Sequence, residues 1–254
     1  MSAPLASADL NSLLQALQQA AMAGGFHVEE FGRIGNWPLL AFTRPVMEIG
    51  APRVYFSAGI HGDEPAPPRA LLRLLQEGFF DGRCSWHICP MLNPVGSHAG
   101  RRENGEGLDL NRDYKSRRAA ETRSHIAWLM SQPSFDLNLC VHEDWESTGY
   151  YLYELNHTGR PTLASVMIEA AEKLGPIEEA NVIDGRPIDK RGIIRPVSDP
   201  ELREQWPEAI YLNTNHGTLH YTLESPSAWP LAQRIDTHCA VIRRALEVFL
   251  GSSR

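Results

Sequence analysis

A chain of 254 residues with 43% apolar and 22% charged residues has an ordinary globular composition, long enough to bury a full core. Its formal net charge of −7, with no block of like charge, argues against a general nucleic-acid binder. No run of 18 apolar residues occurs, so no membrane span is expected.

In chain order, Ala6–Met22 reads as an amphipathic helix, capped by Ser7 or Asp9 and stopped at Gly24-Gly25. The stretch has no basic n-region, so no secretory signal is expected and the cytoplasm is the default. Strands are expected at Phe26–Arg33 and Leu39–Thr43, then at Arg53–Ser57 and Ser85–Cys89. Several of these are continuous apolar runs, the pattern of strands covered on both faces. A helix over Pro65–Gly78 separates the last two, and the irregular segment from Asn93 to Arg112 follows them. Next come a helix over Lys115–Met130, strands at Asp136–Val141 and Tyr150–Glu154, and a helix over Thr162–Leu174. Ile177–Tyr211 is rich in Pro, Gly and charge without a clear period, so it is a small excursion or a long functional loop. Leu219–Leu223 reads as a strand and Pro230–Leu250 as the last helix. The alternation predicts a three-layer α/β/α fold around a mixed, mostly parallel sheet. Without an internal repeat, linker or composition break, residues 1–254 read as a single domain. Cys84, Cys89, Cys140 and Cys239 lie in apolar surroundings and are expected as buried free thiols.

Polar residues concentrate where these strands end, the place where open α/β sheets bind ligands. His61 and Glu64 follow the strand Arg53–Ser57 across a turn in which Gly62 relieves the backbone and Pro65 opens a helix. His142 ends another buried strand and could complete a set of two His and one Glu, suited to a catalytic zinc with an open position. The pattern H-x-x-E decides nothing alone, because His27-Val28-Glu29-Glu30 repeats it within an exposed, alternating strand. Gly100, Gly105 and Gly107 make the stretch around Arg102, Asn104, Asn111 and Arg112 a loop. Its arginines suit an anionic substrate group and a polarised carbonyl; the bland alternative is a solvated loop with Asp109–Arg112 or Glu103–Arg101 pairs. Glu224, facing the same way as His220 and Thr222 along a strand, could serve as general base. A rival metal set of His216, His220 and Glu224 would need that stretch to be helical.

Taken in order, His61-Gly62-Asp63-Glu64, Asn93-Pro94-Val95-Gly96, Arg102-Glu103-Asn104, Asp109-Leu110-Asn111-Arg112, Val141-His142 and Thr222-Leu223-Glu224 resemble the zinc carboxypeptidases of the carboxypeptidase A type. The resemblance implies an α/β/α fold with a central mixed sheet of about eight strands. It implies one zinc ion held by His61, Glu64 and His142, with Arg102 polarising the scissile carbonyl. Asn111 and Arg112 would hold the substrate's terminal carboxylate, Glu224 would be the general base and acid, and Asn104 belongs to the same motif. Tyr211 is the nearest counterpart of the substrate-closing tyrosine, or else it packs in the core. The short span from Glu64 to His142 and the sequence His142-Glu143-Asp144 are similar instead to the aspartoacylase and succinylglutamate desuccinylase branch, which cleaves N-acyl amino acids. The sequence is also similar to compact bacterial members that act on cell-wall peptides. The expected reaction is hydrolysis of an amide beside a free carboxylate, in a small peptide or an N-acyl amino acid. The alternative from another class is a metal-bearing binding protein without catalysis. Asp63, Glu143 and Asp144 could supply oxygens to a second metal.

Overall fold

The apolar runs of the sequence form the middle of a mixed sheet. This computed structural model describes residues 7–183, 185–196, 199–217 and 219–251. Its first half contains α1 (Ser7–Ala23), β1 (His27–Ile34), β2 (Trp37–Arg44), β3 (Arg53–Ser57), α2 (Ala66–Gln76), β4 (Ser85–Cys89), α3 (Pro94–Ala99) and α4 (Ala120–Met130). Then come β5 (Leu137–Asp144), β6 (Tyr151–Asn156), α5 (Ala164–Glu172), β7 (Val182–Ile183), β8 (Arg186–Pro187), β9 (Ile193–Ile194), α6 (Glu208–Asn215), β10 (Leu219–Pro226) and α7 (Leu231–Gly251). The eight-stranded sheet has the order β1-β2-β4-β3-β5-β10-β6-β9, and β7 and β8 form a separate hairpin. The inner strands β4, β3, β5 and β10 run parallel, so their carboxyl ends share one edge of the sheet. β2 and β6 flank them antiparallel.

The two-residue period of a strand sorts side chains between two layers. Leu137, Leu139 and Val141 of β5 join Leu219, Tyr221 and Leu223 of β10 in the core under α1, α2, α5 and α7. Cys140 of β5 and Tyr55 of β3 belong to the second core, with Ile126 and Leu129 of α4 and Leu212 of α6. His142 and Glu224 continue this second face toward the carboxyl edge. In α2, Ala70, Leu71, Leu74 and Leu75 make the buried stripe; Leu71 and Leu74 are fully buried, each stabilising the fold by about 1.5–3 kcal/mol.

Two expectations needed adjustment. The helix expected from Lys115 begins only at Ala120, because the Asp113 carboxylate accepts the N–H groups of Arg118 (3.0 Å) and Ala119 (2.9 Å) and holds the chain in a turn. β5 and β10 also run past their apolar stretches, through the polar residues His142-Glu143-Asp144 and Glu224-Ser225-Pro226, because the two strands pair with each other there. The four cysteines are buried free thiols. Among the described residues, no helix is long and apolar enough to cross a membrane.

Candidate metal centre and its cleft

His61 lies in the turn after β3 and Glu64 just before α2, which brings residues three apart in sequence onto one side. His61 Nδ1 stands 2.5 Å from Glu64 Oε1, and His142 Nδ1 stands 3.2 Å from Glu64 Oε2. The three side chains are buried, and one donor atom from each lies within 4.8 Å of the others. The His142–Glu64 approach lacks hydrogen-bond geometry, so Glu64 Oε2 is buried with no hydrogen-bond partner. A buried carboxylate oxygen left unpaired is costly unless a cation meets it. Two imidazole nitrogens and one carboxylate also match the donor set of a catalytic zinc, so these residues fit the ion. Burial opposes ionisation of Glu64, but its interactions with His61 and His142 outweigh it and pull the carboxyl below its usual range.

Asp109, which in the sequence has a place in a motif or in a surface pair with Arg112 but no role of its own, reaches this centre. Its Oδ1 lies 3.2 Å from His61 Nε2, and its Oδ2 accepts from Arg102 Nε at 3.0 Å. A carboxylate on the far ring nitrogen fixes which nitrogen of His61 faces the other ligands. Burial would lower the His61 pKa, yet Glu64 and Asp109 raise it. Burial likewise resists charging of Asp109, and its bond to His61 holds the carboxyl down. The signal lay in the motif Asp109-Leu110-Asn111-Arg112, whose first residue also caps a 3₁₀ turn by accepting the Asn111 N–H at 2.9 Å. Arg102 points Nη1 to within 3.8 Å of Glu64 Oε1. Asn111 receives the Glu208 N–H at 2.9 Å, and Arg112 donates to the Asn111 carbonyl at 2.9 Å.

The small residues of these motifs have steric duties. A Cβ on Gly62 would stand 2.0 Å from the Gly96 carbonyl carbon, so its role is close approach to α3 rather than the relief of a turn. Asn93 caps α3 by accepting the Gly96 N–H at 2.9 Å and donates to the Arg102 carbonyl at 3.2 Å. Asn93-Pro94-Val95-Gly96 thus fixes the loop that carries Arg102.

Glu224 sits beside His142 in the register of β10 and β5. Burial, reinforced by the nearby Glu64 charge, raises its pKa above the carboxylate range, although His142 pulls the other way. The candidate ligands, Arg102, Asn111, Arg112 and Glu224 all line one cleft of about 690 Å3. Its outer wall comes from the excursion without sequence period, including Ile183, Arg186 and Arg203.

Other expected positions lie elsewhere. Asn104 is buried away from the cleft: it donates to Glu121 at 3.1 Å, accepts the N–H groups of Glu106 and Leu108, and lines a separate cavity of about 540 Å3 with Trp37 and His98. Tyr211 points into the core from α6, its ring 5.6 Å from Tyr114 and 5.7 Å from His216. The rival set of His216, His220 and Glu224 does not form, because His220 and Glu224 lie on a strand while His216 stacks against Phe135 at 5.8 Å. Asp63, Glu143 and Asp144 make no second cluster: among the described residues, His61, Glu64 and His142 are the group of three metal-type donors found. Asp144 is occupied by the Tyr151 hydroxyl at 2.8 Å and the Glu146 N–H at 2.8 Å.

The catalytic-domain model of the succinylglutamate desuccinylase/aspartoacylase family matches residues 50–179, just over half of the chain, and includes all three candidate ligands. The chain belongs to this family. Among solved structures, this family member is similar to a candidate metallopeptidase of Shewanella amazonensis (TM-score 0.82, 26% identity, 94% of this chain and 93% of that one). A candidate metallopeptidase of Shewanella baltica aligns over 100% of this chain and 98% of its own, with a TM-score of 0.84 at 23% identity. A metallo-carboxypeptidase of Burkholderia cenocepacia gives 0.70 at 20% identity, over 98% of this chain and 70% of that one. At these last two identities the likeness concerns the fold. Carboxypeptidase SOL1 of Arabidopsis thaliana is 28% identical over 114 residues, which are 37% of this chain and 23% of that protein.

Proposed function

We propose that this chain is a zinc-dependent hydrolase that cleaves an amide bond next to a free carboxylate. The observation that carries this reading is the convergence of His61, Glu64 and His142 with Glu224 and Arg102 in one cleft. A zinc ion bound by His61, Glu64 and His142 would supply Lewis acidity and make water nucleophilic near neutral pH. Glu224 takes the proton of the attacking water and delivers it to the departing nitrogen; its raised pKa suits a group that must hold and release a proton. The Arg102 guanidinium meets the charge that develops on the carbonyl oxygen. Asn111 and Arg112, fixed by the 3₁₀ turn, bind the substrate carboxylate and set the register of the bond to be cut.

The substrate is either a small peptide losing its C-terminal residue or an N-acyl amino acid losing its acyl group. The family match favours the second, and the carboxypeptidase-like neighbours favour the first. Zinc analysis of the purified protein, a peptide-library digest and assays on acyl-aspartate and acyl-glutamate separate them. Stoichiometric zinc with a free amino acid as product supports the proposal, and the substrate that releases it chooses the branch. Tight zinc-dependent ligand binding without turnover of any of these compounds would instead mark a binding protein.

A further inference from the structure

The candidate ligands and Glu224 stand on separate pieces of backbone: His61 and Glu64 in the turn from β3 into α2, His142 near the end of β5 and Glu224 near the end of β10. One buried carboxylate touches all three pieces. Glu143 follows His142 on β5, so the alternation of the strand turns it to the opposite layer, beneath α2 and α7. Its Oε1 accepts the N–H of Ala66, the first residue of α2 and two beyond Glu64, at 2.5 Å. Its Oε2 accepts from Arg234 of α7 and from the Ser227 hydroxyl at 3.4 Å, just past the end of β10. The Glu143 side chain is 0% exposed and that of Arg234 only 7%.

Each contact has a physical reason. The first N–H groups of a helix have no partner within it, and the helix start attracts negative charge. Glu143 supplies the acceptor that the start of α2 lacks, and Arg234 sets an opposite charge against this buried carboxyl group. With both oxygens engaged, Glu143 is poorly suited to serve as a ligand or proton carrier.

We propose that Glu143, held by Arg234, is the positioning residue that fixes α2, β5 and β10 relative to one another and so preforms the metal centre. The proposal rests on the zinc reading of His61, Glu64 and His142. The double variant Glu143→Gln with Arg234→Met removes both charges together and leaves no buried charge unpaired. Cobalt(II) uptake by equilibrium dialysis, the visible absorption of the bound ion and thermal melting are measured on this variant and on the natural chain. The variant is expected to bind cobalt roughly 10- to 100-fold more weakly, with an altered absorption spectrum, at temperatures where it is fully folded. Should the double variant not fold, Glu143→Gln alone is read in the same way. A lower melting temperature with unchanged cobalt affinity and spectrum, beside normal uptake by the natural chain, would overturn this proposal alone. Absence of cobalt uptake by the natural chain would overturn the zinc reading and this one with it.

Discussion

His61–Glu64 and His27–Glu30 carry the same residues at the same spacing, yet the chain uses them in opposite ways. His27 and Glu30 lie on β1, where an odd spacing sends side chains to opposite faces. His27 is exposed, and Glu30 pairs instead with Arg33 at 2.5 Å, its side chain in solvent. His61 and Glu64 lie in a turn leading into a helix, where the same spacing brings them within 2.5 Å. A second carboxylate orients the first pair from behind, and a second histidine approaches from β5. The backbone on which the pattern falls decides its chemistry, together with what distant strands bring to it.

The widest separation between the two pairs is expected on metal removal by mutation. His61→Ala should lose essentially all bound zinc and all hydrolysis, while His27→Ala changes neither; elemental analysis after dialysis beside an activity assay reads both. Retained zinc in His61→Ala would break the comparison. Glu224→Gln should keep its zinc yet lose about 10²- to 10⁴-fold in kcat/KM, the range for a positioned base. Unaltered hydrolysis would remove Glu224 from that role.

Effects on stability are smaller. Gly62→Ala pushes a methyl group into the backbone of α3 and should cost about 1–3 kcal/mol in urea unfolding, with weaker zinc binding as the turn shifts. Histidine burial sharpens the contrast through pH. His125, enclosed between the hydroxyls of Tyr55 (2.9 Å) and Tyr114 (2.7 Å), has its pKa lowered to about 3 by burial, helped by His216. The folded chain therefore keeps this ring neutral, while the unfolded chain protonates it near the ordinary value of about 6.5. Its contribution is fully present above about pH 6.5 and is lost as pH falls toward 3, by up to about 1.4 kcal/mol per pH unit. Urea unfolding of His125→Gln between pH 6 and 4 should show a shallower slope than the natural chain. Glu30→Gln, which breaks only an exposed pair, should change stability by about 0.5 kcal/mol or less.

The inner strands were legible because burial on both faces leaves a continuous apolar run: β3 and β4 begin and end where the residues predict. The residues that share the cleft, namely the candidate ligands, Arg102, Asn111-Arg112 and Glu224, stand in the sequence as motifs at strand ends. Asn104 was misleading because an amide in a polar loop has the same appearance whether it faces a substrate or, as here, ties the loop to Glu121. Tyr211 belongs to α6, an eight-residue helix in a stretch whose prolines and charges mask its period. β7, β8 and β9 are two residues each, too short to leave any periodic trace. The Glu143–Arg234 pair spans 91 residues, and no local pattern reports a partner that far away.

The wall of the cleft has a consequence of its own. The proposed chemistry stands on β3, β5 and β10, in the middle of the sheet, whereas the outer wall is a ribbon of two-residue strands and loops between α5 and α6. This ribbon packs a small cluster of its own, Ile183 and Ile194 with Tyr151, reaches the main core through Ile177 and Ile193, and adds only the edge strand β9 to the sheet. Grafting residues 177–207 from a relative with a different substrate, with Ile177, Ile193 and Ile194 kept, should change the substrate accepted and leave metal binding unaltered. On the proposed reading, substrate choice and the metal-dependent reaction would sit on different stretches of one chain.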